Sequence, residues 1–344
     1  MRAMTLWVGV AVLGLAGCGL WRDWDDLDQG GPGGAAACPG TTSGTWCVET
    51  LSGQTSIELQ SVWSDRPDDV WIVGWHRLAN GDREAAMMRW NGHSWSTVAN
   101  PDPANFQFST GVWGSSARDV WVVGVGAGAL HFDGRSMSFV PMPIAAPQTV
   151  VDIRQASGTA SNDVWTGGHQ VLHWDGTAWT AAAIDTGDPN QYFAGVWAVA
   201  PNDVWATGDQ VVAHFDGASW TVTQVVTGPI GLASFLYTIW ADSNQAWAAG
   251  PGGRIHHFQN GTWTLVSSPT DSGPLLYSLA GRGDDVYLAG TQSFLDVLQG
   301  DTFVPVPDAP ASGSIYQGVW VSPSQVWVVG MNQSDEPIVL RRQR

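Results

Sequence analysis

From about residue 44 onward the chain alternates short apolar runs with turn residues, and apolar positions never keep the i, i+3, i+4 spacing long enough for a helix. One stretch shows the unit: "STGVWG" from Ser109, "DVWVVG" from Asp119, "ALHFD" from Ala129 and "SFVPM" from Ser138 are four strand-like runs. The unit recurs. "NDVWATGDQVVAHFDGASW" spans Asn202 to Trp220, and "NDVWTGGHQVLHWDGTAW" has already begun at Asn162. The aromatic of this element falls at Trp71, Trp121, Trp165, Trp205, Trp247, Tyr287 and Trp327, in steps of 50, 44, 40, 42, 40 and 40 residues. Such a period predicts seven blades of four antiparallel strands. Between third and fourth strands stand Asn91-Gly92, Asp133-Gly134, Asp175-Gly176, Asp216-Gly217 and Asn260-Gly261, dipeptides suited to two-residue hairpin turns with positive φ at both central positions.

The ends of the chain complete each other. The seventh unit, from Gly318, stops after its third strand, while "SGTWCVETL" from Ser43 matches the fourth-strand run "NGTWTLVSS" from Asn260, with Trp46 in the place of Trp263. Pairing the first segment with the last blade leaves no open sheet edge between first and last blades. The expected fold is all-β, a closed seven-bladed β-propeller over residues 44–344. In this plan the chain resembles the broad superfamily of WD-repeat, kelch and Asp-box propellers without carrying one family's signature, since its repeated motif is D-G-x-x-W, as in Asp175 to Trp179.

The N-terminus is of another kind. Arg2 precedes an apolar run from Leu6 to Leu15, too short to span a membrane, and the following Leu15-Ala16-Gly17-Cys18 resembles the lipobox of bacterial lipoproteins. That resemblance implies removal of a signal peptide, residues 1–17, acylation of Cys18 and a membrane anchor. Gly rather than Asp at position 19 favours the outer membrane, on an undecided face. Residues 18–43, rich in Gly and Asp, read as a flexible tether of roughly 25 to 30 Å root-mean-square span. Its acids Asp23, Asp25, Asp26 and Asp28 lack the glycine turn and distal glutamate of a calcium loop. Cys38 and Cys47 form an even pair in an oxidising compartment, for which a disulfide is expected.

The net charge is −17, with 14 Lys plus Arg, all of them Arg, against 31 Asp plus Glu. Such a surface repels nucleic acid and anionic head groups, so the membrane is met through Cys18 alone. Only 13% of residues are charged while 22 are Trp, a composition for a packed extracellular domain.

Repeated residues read as scaffold. His131, His173, His214 and His257 each precede an aromatic in the third strand, too far from the axis to share a metal ion, and are expected to pack and hydrogen-bond between blades. Asp69, Asp119, Asp163, Asp203 and Asp285 stand before the second strand and are expected to bond their own turns. Trp71, Trp121, Trp205, Trp95, Trp179, Trp220 and Trp263 read as core. No catalytic motif, metal pattern or cofactor signature is present; the arginines Arg77, Arg83, Arg89, Arg118 and Arg154 show no triad spacing.

Departures from the repeat are candidates for function. In the first unit the connection between second and third strands expands to "WHRLANGDREAAM", gathering Trp75, His76, Arg77, Asp82, Arg83 and Glu84. Aromatics cluster where one unit passes into the next: Phe106, Phe108, Tyr192, Phe193, Phe235, Tyr237, Tyr277 and Tyr316. Both groups fall on one face. They either line a binding mouth or plug it. The expected function is a non-catalytic envelope scaffold for another envelope or extracellular protein, with a carbohydrate-binding lectin as the alternative and a propeller glycoside hydrolase as a third reading.

Overall fold

The computed structural model describes residues 45–344 apart from 52–55, 144–150, 227–233, 268–269 and 311–312. Its strands, numbered in chain order, form seven antiparallel sheets. The first blade holds β2 (Ile57–Arg66), β3 (Asp69–Arg77), β4 (Arg83–Trp90) and β5 (Trp95–Thr97). The innermost strands of the next six blades are β6 (Phe106–Ser116), β11 (Ala156–Ala160), β15 (Phe193–Ala200), β19 (Thr238–Ala241), β23 (Leu276–Arg282) and β27 (Ile315–Val321). Each touches the innermost strand of its neighbours, and β27 returns to β2, so the sheets close into a seven-bladed propeller.

Closure follows the complementary ends of the sequence. Strand β1 (Trp46–Glu49) pairs antiparallel with β29 (Pro337–Gln343), Cys47 opposite Arg341, as the outer strand of the last blade. The side chains reinforce this register: Arg341 Nη2 lies 2.7 Å from Glu49 Oε1, and Arg342 stands over the Trp46 ring at 5.8 Å. Cys47 is buried here. Cys18 and Cys38 lie outside the described residues, as do residues 1–17 and 18–43, expected as signal peptide and tether.

The repeated residues build one polar unit inside each of blades 1 to 5, which corrects the interblade role expected for the histidines. In blade 3, Trp165 of β12 (Asp163–Thr166) stacks on His173 of β13 (Leu172–Trp174) with centroids 4.0 Å apart. Asp163 Oδ1 accepts from Trp165 Nε1 at 2.8 Å and lies 2.8 Å from His173 Nε2, while Thr159 donates to the other oxygen. Blade 4 repeats this with Asp203, Trp205 and His214. Blade 2 repeats it with Asp119, His131 and Ser115, although Trp121 Nε1 has no acceptor. In blade 5, Gln245 replaces the acid between Trp247 and His257. In blade 1, Arg89 takes the histidine position and grips Asp69 with two nitrogens at 2.7 and 3.0 Å. The acids do bond their own turns through Ser115 and Thr159, but they also reach the next strand. Antiparallel register makes this possible, because Trp165 lies opposite His173 and a ring two residues past the acid can turn back to it.

The glycine turns differ from expectation in a second way. Asn260-Gly261 is a two-residue turn with φ of 51° and 76°. The other four dipeptides open four-residue links in which the Asn or Asp side chain accepts the N–H groups two and three residues on, as Asp175 Oδ1 does from Thr177 and Ala178 at 2.8 and 2.9 Å. There only glycine takes positive φ, 93° at Gly176, where an added Cβ would also come within 2.8 Å of Asn162. The D-G-x-x-W motif is thus a cap, a close approach and the first residue of the fourth strand. Of the fourth-strand tryptophans expected in the core, Trp179 is buried, whereas Trp95, Trp220 and Trp263 are half-buried.

Candidate functional site

Strand alternation places the links between second and third strands, and those between blades, on one face of the ring. At the centre of that face opens a cavity of about 580 Å³. Its floor is tryptophan. Trp197 of β15 and Trp320 of β27, from blades 4 and 7, meet across the axis with centroids 6.4 Å apart. Trp320 Nε1 is fixed by the Ser64 carbonyl at 2.7 Å, and the same indole borders a separate, smaller cavity on the opposite side. The channel is therefore a cup.

The rim is aromatic. Tyr237 and Tyr277 stack at 5.8 Å and 19°, Phe235 adjoins Tyr237 at 6.4 Å, and His169 meets Tyr192 edge-on at 5.5 Å. Burial raises the hydroxyl pKa of Tyr192, Tyr237 and Tyr277, so all three remain neutral donors at physiological pH.

Among the described residues, one permanent cation, Arg154, lines this cup. Strand β10 (Val151–Asp152) lies along the end of β7 (Asp119–Gly126), and Ile153 behind it is buried with its N–H on the Gly124 carbonyl at 3.1 Å. That anchored residue turns its neighbours Asp152 and Arg154 into the cavity. Arg154 remains 56% exposed, with its nearest carboxylate, Asp152, at 3.9 Å. Burial opposes its charge, but Tyr192 and Asp152 outweigh it and hold the guanidinium pKa raised. Gln60, Gln155 and Gln317 add neutral polar groups to the wall.

The first-blade insertion forms a long hairpin beside this mouth, Arg77 opposite Arg83 and His76 opposite Glu84. Trp75 is buried at its base with Phe108 edge-on at 6.4 Å, and Arg83 covers both rings at 4.2 and 5.1 Å. Arg77 stands over Trp75 at 5.4 Å. Alternation puts His76 and Glu84 on the other side of the ribbon, and Asp82 bonds Asn80 at the tip at 2.7 Å. Glu58 links hairpin to cup: it accepts from Gln60 at 3.0 Å, and burial raises its carboxyl pKa despite Arg83 and Arg77.

The predicted residues therefore divide. Tyr192, Tyr237 and Tyr277 come together at the cup, with Phe235, and Trp75, Arg77, Arg83 and Phe108 come together at the hairpin. Phe193 and Tyr316 do not belong to the binding candidates: at 3% and 0% exposure they are core, as is Phe106, because their side chains turn between blades at the head of the inner strands. Tyr316 donates to the Pro310 carbonyl. Missed from sequence were Trp197, Trp320 and Asp152, while Arg154 was seen without a role. The tryptophans sit in the same "VW" context and strand register as buried Trp113.

No protein-family model matches the chain, and no curated protein matches it by sequence. Solved structures do match in fold. YCF48 bound to D1 peptide superposes with a TM-score of 0.61 at 18% identity, over 86% of this chain and 94% of that one. The extracellular domain of the putative one component system BT4673 from B. thetaiotaomicron gives 0.64 at 13% identity, over 87% of this chain but 40% of that one. The WD40 beta propeller domain of Doa1 gives 0.62 at 10% identity, over 88% and 98%. The class defined is a seven-bladed β-propeller with tryptophan-rich strands.

Proposed function

We propose that this propeller is a non-catalytic binding protein of the bacterial envelope, receiving an extended segment of another envelope or extracellular protein in the cup. The observation that carries this reading is a blind, aromatic-rimmed cavity lined by the permanent cation of Arg154 in a strongly acidic protein. Neutral tyrosines offer large contact area at low entropic cost, and Arg154 offers a bidentate fork for a carboxylate of the guest segment. A cavity of about 580 Å³ lies within the usual range for small ligand sites. The peptide complex of YCF48 supports the reading by analogy of fold alone.

Anchoring through Cys18 belongs to the same proposal and rests on the lipobox resemblance, as does placement at the outer membrane. Changing Cys18 to Ser should move the protein from the membrane to the soluble fraction. A Cys38–Cys47 disulfide would tie the tether to the closing strand, and thiol alkylation before and after reduction tests it. Installing a photo-crosslinking residue at Tyr237 in cells tests the main reading. An adduct with a discrete envelope protein, lost on Arg154→Gln, is the expected result. The lectin reading is favoured by the stacked Tyr237–Tyr277 pair beside glutamine amides. No protein adduct, together with glycan-array binding lost on Tyr237→Ala, would replace the first reading with that one.

A further inference from the structure

The repeat itself exposes a second site, away from the cup. One residue before the position opposite the motif aromatic, the third strand of each blade buries a side chain against the preceding blade. The equivalent residues are Met88, Leu130, Leu172, Ala213, His256, Asp296 and Leu340, read from the pairs Ile72↔Met88, Val122↔Leu130, Thr166↔Leu172, Ala206↔Ala213, Ala248↔His256, Leu288↔Asp296 and Val328↔Leu340. Five are apolar and fill the interblade core. Blade 6 instead places a carboxylic acid there, 8% exposed, with no side-chain hydrogen bond or ion pair among the described residues.

The carboxyl group of Asp296, on β25 (Leu295–Gln299), faces a cleft of about 320 Å³ between blades 5 and 6. Phe294 and Phe303 line the cleft on its own blade, Trp247, Ile255 and Pro274 across it. Burying an acid without a partner is costly, and burial raises its pKa to about 6. A cationic guest would reverse that cost, because the carboxylate would then be paired and the ring faces would attract the same charge. A metal ion fits poorly. Hard cations need about six oxygen ligands, and the described residues contain no group of three or more His, Cys, Asp or Glu able to hold a metal.

We propose that the cleft between blades 5 and 6 is a subsite for a guanidinium side chain of a partner protein, with Asp296 as its counter-ion and the Phe294 and Phe303 rings as its walls. The site lies apart from the cup and stands or falls independently of it.

Among the described residues of the packed elements, Asp301 lines the same cleft and His257 stacks on the Trp247 that lines it. Asp301 ends the turn after β25 and would add to the attraction. His257 on blade 5 has its pKa lowered by burial, against the pull of Asp301, and stays neutral near pH 7. Arg254 projects from the opposite face of its strand, one residue before Ile255.

The test is an NMR titration of the intact protein with N-acetyl-arginine amide, its neutral analogue N-acetyl-glutamine amide, and spermidine. The Trp247 indole and the Asp296 carboxyl carbon report. At pH 7.5 the arginine compound should saturate, at least tenfold tighter than the glutamine compound, and should weaken about tenfold by pH 5 as Asp296 takes up its proton. Bound guest should also lower the pKa of Asp296, which a purely structural acid would not show. Asp296→Asn, which keeps the shape, and Asp296→Leu, which restores the repeat, should each lose at least tenfold in affinity while remaining folded by circular dichroism. Binding equal in the Asn variant, absence of binding to wild type at pH 7.5, or binding of spermidine without the arginine compound would each overturn the proposal.

Discussion

Asp163 and Arg154 stand within ten residues of each other around blade 3, and their surroundings differ in kind. Asp163 is tied to His173, Trp165 and Thr159, and the same arrangement returns in blades 2, 4 and 5. Arg154 occurs once, half-exposed at the cup, with its nearest carboxylate 3.9 Å away. Where polar groups are repeated and satisfied, they hold blades in shape. Where one is single and under-paired, hydrogen-bonding capacity is left for another molecule. Asp296 is a third case, single, buried and, among the described residues, without a partner.

The comparison can be broken most forcefully at the rings. Trp165→Ala removes a buried indole and should cost about 3 to 5 kcal/mol, lowering the urea midpoint and abolishing any cup ligand with the fold. A loss below 1 kcal/mol would mean the repeated unit is not the scaffold. Asp296→Asn should act in the opposite direction. Burial raises the pKa of its acid from the usual 3.8 to about 6, so the folded state holds the proton more tightly and stability falls as pH rises from about 4 through about 6. Each pH unit of that difference is worth about 1.4 kcal/mol. The variant should therefore gain up to about 3 kcal/mol at pH 7.5 and almost nothing at pH 3.5, as thermal melts at both values would show.

Asp163→Ala leaves an indole N–H and an imidazole nitrogen without their acceptor and should cost about 2 kcal/mol, with Asp163→Asn less severe. His256 sharpens the pH side. Burial, helped by Arg254, lowers its pKa to about 4 from 6.5, so its contribution is present above pH 6.5 and lost as pH falls toward 4. His256→Gln should flatten that part of the acid limb in a pH-stability curve. The smallest expected effect on stability is the most telling for function: Arg154→Gln should change unfolding by less than about 0.5 kcal/mol, yet remove the partner seen by crosslinking at Tyr237.

Much of the ring was legible because repetition is a one-dimensional signal. Seven aromatics at a near-constant step, Trp46 standing for Trp263, and an absent last strand describe a closed propeller without any knowledge of contacts. The candidate site was legible in part. Tyr192, Tyr237 and Tyr277 were found as departures at blade junctions, but Phe193 and Tyr316 share that signal and turn inward, since one residue of register decides the face of a strand. Trp197 and Trp320 were hidden by their likeness to buried tryptophans of the same motif. Asp296 was hidden differently, for "FLDVLQG" shows an acid in a strand but not that its six counterparts lie in the same interblade layer.

The pairing of β1 with β29 also sets an order of events. The first strand of the ring to leave the ribosome pairs with the ring's last strand, so seven-blade closure waits until β29 has been made. Until then the unfinished blade offers an unpaired edge to any extended segment nearby, and the interval between synthesis and closure is when the chain is most open to proteases and to pairing with its own copies. Removing β29 would deprive β1 of its seat, which makes damage to the ring's last strand detectable at its first.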